Sequence, residues 1–200
     1  MDTPYKWTID IETDWGGRTD GIEGIIKSVP VLINLFKSMG IKPILFISTE
    51  LLEDFGVNEH TLNKYMKRIL RDSVVSSHGH FHIHYKSSTR LMEDKRLSES
   101  ILGGWGVKDP YYRPPRFNPL GQNLCLPYSN PKNHLSLLKI LWFGMKPNKD
   151  TIFYLHPFDI TPTRTPAPNL FSKLWYSRPI GAMKLLKRLM KEHPGEHRLP

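Results

Sequence analysis

The sequence predicts an α/β fold with parallel strands, and three observations carry that prediction. Strand-like and helix-like segments alternate through the first half of the chain. The stretch IKPILFIST at 41–49 is apolar almost throughout, as expected of a strand covered on both faces. Acids and histidines gather where two of the strand segments end, which is where parallel α/β folds keep their chemistry.

The elements follow in order. YKWTIDIE at 5–12 alternates and is rich in β-formers, so it reads as a strand ending in acids. Gly16 and Gly17 make a turn. Ile22, Ile25, Ile26, Val29, Leu32, Ile33, Phe36 and Met39 recur at helical spacing. Pro30 lies within that pattern, so the helix either kinks there or begins close to it. Gly40 is a stop. After the apolar strand at 41–49, EHTLNKYMKRIL at 59–70 reads as a helix and DSVVSS at 72–77 as a short buried strand. Beyond that the pattern loosens. Residues 103–133 are rich in Gly and Pro and read as a long loop or short irregular strands. TIFYLHPFDI at 151–160 is strand-like, and TPTRTPAP at 161–168 reads as an exposed loop. A basic amphipathic helix is expected at about 178–193, with Ile180, Met183, Leu185, Leu186, Leu189 and Met190 on one face. That face either packs on the core or lies on an anionic membrane surface. With no repeats and no linker, residues 1–200 are expected to form one domain.

Composition narrows the function classes. The 200 residues are 39% hydrophobic and 24% charged, ordinary for a protein with a sizeable core. No apolar run approaches the roughly 20 residues that cross a bilayer, and the start does not have the form of a signal peptide. Cys125 is the only cysteine, so no intrachain disulfide can form. A cytoplasmic location, with membrane association as an option, is the expectation. The net charge of +9 raises nucleic acid, anionic lipid and phosphorylated ligands as partners. Nucleic acid is not expected, because a basic surface explains neither the acids ending the first strand nor the late His156.

The chemistry concentrates in DIETD (10–14) and HGHFHIH (78–84). Four of the nine histidines, His78, His80, His82 and His84, stand at alternate positions. Asp10 and Glu12 would project to one side of a strand. Imidazole and carboxylate are the donors of a divalent metal, and a catalytic site uses three protein ligands and leaves a position open. His80 and His84 are expected outside the ligand set. His60, His134, His193 and His197 stand alone and read as surface residues. An HxH pattern also occurs in other metallohydrolases such as the metallo-β-lactamase fold, but there Asp-His normally follows, whereas Ile83 and His84 follow here.

Four segments, in order, resemble the motifs of the polysaccharide deacetylases (NodB-homology, or family 4 carbohydrate esterases). TIDIETDWGG resembles the first, SHGHFH the second, YYRPPRF the third and FYLHPFD the last. VPVLINLFKSMGIKPILFIS resembles the first helix and second strand, so the likeness runs from about residue 5 to 160. It implies a distorted (β/α)7 barrel and metal-dependent removal of an N-acetyl or similar acyl group from an amino sugar or related amide. By this resemblance Asp10 is the catalytic base and Glu12, His78 and His82 hold one divalent metal. Zinc is the first choice, with cobalt, manganese or nickel as alternatives. Arg113 orients the base, and His156 is the general acid. Trp15, Tyr112 and Arg116 are candidates for substrate contact. The implied partner is an N-acetylated sugar or a lipid-linked or nucleotide-linked amino sugar.

The chain departs from the family pattern in three places. Many members have adjacent aspartates. The spaced Asp-Ile-Glu resembles the branch that includes peptidoglycan-type and lipid-linked amino-sugar deacylases, which usually has aspartate at the position of Glu12. Asp14 is therefore an alternative ligand. The segment between the second and third motifs is short, and the family's tryptophan motif has no clear match. A catalytically degenerate, carbohydrate-binding form of the fold is the alternative function.

Overall fold

The computed structural model describes residues 6–13, 23–53, 59–125, 128–160, 168–175 and 179–194. Five strands form one parallel sheet: β1 (Trp7–Ile11), β2 (Ile44–Ile47), β3 (Val74–Ser77), β4 (His134–Ser136) and β5 (Ile152–Leu155), in the order β3-β2-β1-β5-β4. A single parallel bridge from Ser77 to Tyr112 extends the β3 edge. The α/β character and parallel strands are as expected. The expected barrel has seven strands, whereas the described residues give five strands in an open order, with no pairing between the β3 and β4 edges.

Period-two alternation gives the sheet two different faces. Trp7, Ile9 and Ile11 of β1, Leu45 and Ile47 of β2, Val75 of β3, and Phe153 and Leu155 of β5 enter the main core. That face is covered by α1 (Glu23–Ser38), α3 (Glu59–Asp72), α4 (Ser88–Gly104), α5 (Leu137–Phe143) and α7 (Pro179–Glu192), which contribute residues such as Leu32, Met66, Leu102, Ile140 and Leu186. Two further short helices, α2 (Glu50–Glu53) and α6 (Leu170–Trp175), lie in the connections. The other face carries Thr8, Asp10 and Glu12, and a smaller cluster of Ile44, Phe46, Ile152 and Tyr128.

Pro30 sits inside α1 and removes one of its hydrogen bonds. The helix nevertheless runs through it, because Ile25, Val29, Leu32, Ile33 and Phe36 all bury on one side. Tertiary burial outweighs the local cost. In α7 the apolar face is likewise spent on the core: Ala182, Leu186, Leu189 and Met190 are at most 2% exposed. Trp7 ties down the end of this helix by donating from its indole to the His193 carbonyl at 2.8 Å while stacking on Phe153. Among the described residues of α7, Lys184, Lys187, Arg188 and Lys191 are exposed on the side away from the core. No helix among the described residues is long and apolar enough to cross a membrane.

The segment expected to be irregular begins later than its composition suggests, because α4 continues to Gly104. Short 3₁₀ turns follow at Pro115–Phe117, Pro119–Gly121 and Pro131–Asn133. Arg116 and Phe117 both adopt left-handed backbone (φ 52° and 49°), a conformation that costs a side-chain-bearing residue about 1–2 kcal/mol. Packing holds them there: Phe117 lies against Arg113, His134 and Tyr154. His134 is thus not the surface residue its isolation in sequence suggests. Burial, reinforced by the Arg113 charge, pushes its imidazole down to about 2 and keeps it neutral.

Candidate metal and catalytic site

The site sits at the C-terminal ends of β1, β3 and β5. β1 aims Thr8, Asp10 and Glu12 to one face, two residues apart and so about 6.7 Å per step along the strand. Glu12 lies just past the strand end and is 2% exposed. Immediately after β3 the chain continues alongside β2 and the residues after it: the His78 N–H donates to Ile47 O (2.9 Å), the Thr49 N–H to Gly79 O (3.1 Å) and the Glu50 N–H to His80 O (3.1 Å). The chain then turns, and His82 comes back over His78, with ring centroids 5.0 Å apart.

Glu12, His78 and His82 each offer one ligand atom, all within 4.8 Å of one another. Glu12 Oε2 is 3.5 Å from His78 Nε2 and also pairs with His82 Nε2. Glu12 Oε1 is 3.1 Å from His156 Nε2, contributed by the residue following β5. Burial alone would raise the Glu12 carboxyl, but the neighbouring His82 and His156 hold it well below the usual carboxylate range.

The donor set fits a divalent metal. His78 Nδ1 lies 2.8 Å from the Arg113 carbonyl, which fixes the proton on Nδ1 and leaves Nε2 a free lone pair turned toward Glu12. Glu12 Oε2 is buried and has no conventional hydrogen-bond donor among the described residues. A buried carboxylate oxygen and an imidazole nitrogen pinned in the ligating tautomer are what such a cation needs. Asp14, the alternative ligand, lies outside the described residues, as does Trp15.

On the same face of the sheet is a second cluster, built around Arg113. Arg113 is fully buried and ion-paired through Nη1 to Asp10. Its Nη2 donates to Thr8 Oγ1 (2.9 Å) and its Nε to the Tyr128 carbonyl (3.3 Å). The guanidinium lies 4.2 Å above the Phe46 ring. Burial lowers its pKa, and the neighbouring Asp10 opposes that shift. Thr8 passes its own proton to Phe153 O at 2.9 Å.

His156 has a second carboxylate neighbour. Its backbone N–H donates to Asp159 Oδ2 (2.8 Å), and its Nδ1 lies 3.7 Å from the same oxygen. Burial would depress the imidazole, but Glu12 and Asp159 outweigh it and push its pKa well above the usual histidine range. Phe158 stacks flat on the ring, with centroids 4.9 Å apart.

The structure therefore brings together Asp10, Glu12, His78, His82, Arg113 and His156. His80 and His84 stay out: His80 bonds Thr49 Oγ1 (3.1 Å) and faces Glu53, and His84 is exposed. Tyr112 is a correction. Expected as a substrate contact, it is 0% exposed and packs with Tyr85 and Leu91, so it cannot meet a sugar. Arg116 is exposed on its 3₁₀ turn, three residues from Arg113. Thr8, Asp159 and Asp94 also belong to the site's framework: Thr8 and Asp159 stand inside the first and last motif segments without an assigned role, and Asp94 lies outside every motif. The alternation of β1 marks Thr8 as sharing the face of Asp10, and Asp159 follows His156 at the spacing of a turn.

No family model matches the chain, and no curated protein matches it. Solved structures do. The Xyl-CE4 domain of a multidomain xylanase from the hindgut metagenome of Trinervitermes trinervoides aligns over 94% of this chain and 84% of its own, with TM-score 0.51 and 13% identity. PdaA of Bacillus subtilis, a family 4 carbohydrate esterase, aligns over 94% of this chain and 77% of its own, with TM-score 0.50 and 14% identity. At these identities the likeness is one of fold, and the chain has the α/β fold seen in family 4 carbohydrate esterase domains.

Proposed function

We propose that this chain is a metal-dependent hydrolase that removes an N-acetyl or similar acyl group from an amino sugar or a related amide. The observation that carries the proposal is the Glu12–His78–His82 donor cluster, with the Asp10–Arg113 ion pair beside it and His156 at its edge. The fold shared with family 4 carbohydrate esterase domains supports it.

Glu12, His78 and His82 would hold the metal, which when bound would supply Lewis acidity and acidify water. The remaining work belongs to the chain. Asp10, ion-paired to Arg113, accepts a proton from the attacking water. Arg113, locked by Thr8 and the Tyr128 carbonyl, fixes the direction of that carboxylate. His156 is held protonated by its two carboxylate neighbours and donates to the leaving nitrogen. An amide needs that proton, because the amine is otherwise a poor leaving group.

The test is a release assay for acetate over a panel of N-acetylated mono- and oligosaccharides, with the purified chain supplied with Zn²⁺ or Co²⁺. Asp10→Asn should lower turnover about 100-fold or more while metal binding stays near wild type. Glu12→Gln should weaken metal binding, with activity partly restored by excess metal. Metal loss in Asp10→Asn together with full retention in Glu12→Gln would reverse the two roles. A wild-type protein that binds metal and sugar yet releases no acyl group would favour the carbohydrate-binding alternative.

A further inference from the structure

α4 presents one buried face, Leu91, Asp94, Ser98 and Leu102, and two of these four residues are polar. A carboxylate is costly to bury unless its oxygens are satisfied. Asp94 is 5% exposed, and all its partners belong to the segment that carries the histidines. Its Oδ2 accepts the His80 N–H at 3.0 Å and its Oδ1 the Phe81 N–H at 2.9 Å. The Tyr85 phenol, shifted upward by burial, is hydrogen-bonded to it as well. One turn along the helix, Ser98 Oγ bonds Ser77 Oγ at 2.9 Å, and Ser77 Oγ in turn accepts the Gly79 N–H at 3.2 Å.

These bonds act where the chain turns between His78 and His82. Two successive amide N–H groups aimed at one carboxylate define the direction of the backbone there, and that direction brings His82 over Glu12. Gly79 makes the approach feasible. Its φ is +84°, and a Cβ at that position would collide with Asp94 Oδ2 and stand 3.3 Å from Pro115.

We propose that Asp94 is a positioning residue for the Glu12–His78–His82 cluster, and that Gly79 is the residue that admits it. The inference rests on the metal-site reading above. It concerns how the two histidines are held at ligating distance, and no contact between Asp94 and a ligand is implied.

The experiment measures binding of Zn²⁺ or Co²⁺ alone to the full chain by titration calorimetry at 20 °C, well below unfolding, with the Co²⁺ visible spectrum as a second readout. Asp94→Asn keeps the shape but turns one acceptor oxygen into a donor that faces an N–H. It should weaken metal binding about 10- to 100-fold, as loss of an outer partner does, and alter the Co²⁺ band pattern. Leu102→Ala on the same helix face is the control. It should lower the melting temperature while leaving the metal Kd within about twofold of wild type, since Leu102 packs in the main core and carries no polar group to hold the histidine segment. Gly79→Ala should mimic Asp94→Asn, and it carries the test if Asp94→Asn does not fold. A wild-type Kd in a folded Asp94→Asn or Gly79→Ala protein overturns the inference while leaving the metal site intact. Equal weakening in Leu102→Ala overturns it too, by reducing the effect to general stability. A wild-type chain that binds neither metal removes the metal-site reading, and the inference with it.

Discussion

Arg113→Met is the perturbation whose cost the structure lets one work out most directly. Methionine keeps an unbranched stem of similar length, so the packing over Phe46 is largely retained while every donor is removed. Asp10, 3% exposed, loses its ion-pair partner. Removing one member of a buried pair costs about 3–5 kcal/mol, because the remaining charge stays desolvated. The Tyr128 carbonyl also loses its Arg113 donor, worth roughly 1 kcal/mol. Thr8 keeps its bond to Phe153 O and adds little. The sum, about 4–6 kcal/mol, is comparable with the whole stability of many domains. Urea unfolding of the metal-free protein, followed by the fluorescence of its tryptophans (Trp7 among them), measures it. Asp10→Asn placed in the Arg113→Met background should recover about 2–4 kcal/mol, because the orphaned charge is gone. A single-mutant cost below about 1 kcal/mol would refute the reasoning, as would a double mutant no more stable than the sum of the two singles predicts.

Three further outcomes are expected. Leu186→Ala, at a position 0% exposed in α7, should cost about 2–5 kcal/mol in urea unfolding, whereas a helix only resting on the surface would give under 0.5. Asp72 accepts a bidentate hydrogen bond from Arg71, which lowers its carboxyl to about 2 against the opposing effect of burial, with Lys37 adding to the lowering. Its folded value is below its unfolded one, so the stability it contributes is complete above about pH 4 and lost as pH falls toward 2; the gap between wild type and Asp72→Asn should close over that window, and a gap that persists at pH 2 contradicts it. Zn²⁺ at about 100 times its Kd should stabilise the fold by about 2.7 kcal/mol, visible as a rise in melting temperature that EDTA reverses and His82→Ala abolishes.

Much of the site was legible in the sequence because it depends on short-range geometry. Asp10 and Glu12 share a face since strand residues alternate. His78 and His82 follow a short strand whose end could be located. His156 falls where an apolar run stops. The structure adds what depends on contacts distant in sequence. Arg113 reaches across 103 residues to Asp10, and only its motif context pointed to it. Tyr112 could be named only as a possible substrate contact, and its packing with Tyr85 and Leu91 depends on residues 27 and 21 positions away. α4 went unread because the middle of its buried face is polar: Asp94 and Ser98, between Leu91 and Leu102, interrupt the periodicity by which a helix is found. His134 had no neighbour in sequence to mark it as buried. The barrel expectation drew on resemblance alone, and strand pairing at the sheet edges is not encoded in any one segment.

One member of the site differs from the rest in access. Side-chain exposure is 0% for Arg113, 2% for Glu12, 3% for His78, 5% for Asp10 and 8% for His82, against 18% for His156. The Arg113 guanidinium lies against the Phe46 and Phe117 rings, with each of its nitrogens assigned to one acceptor. A group held in that way sets the orientation of Asp10. The rim is different. His156 is the member of the site with most contact with solvent, and Phe158 stacked behind it restricts the ring to one plane. In the proposed reaction the leaving amine returns to solvent, so its proton donor belongs at the rim, where His156 lies. The proposed base has to face water held inside, and Asp10, with its side chain 5% exposed, is closed in as that step needs.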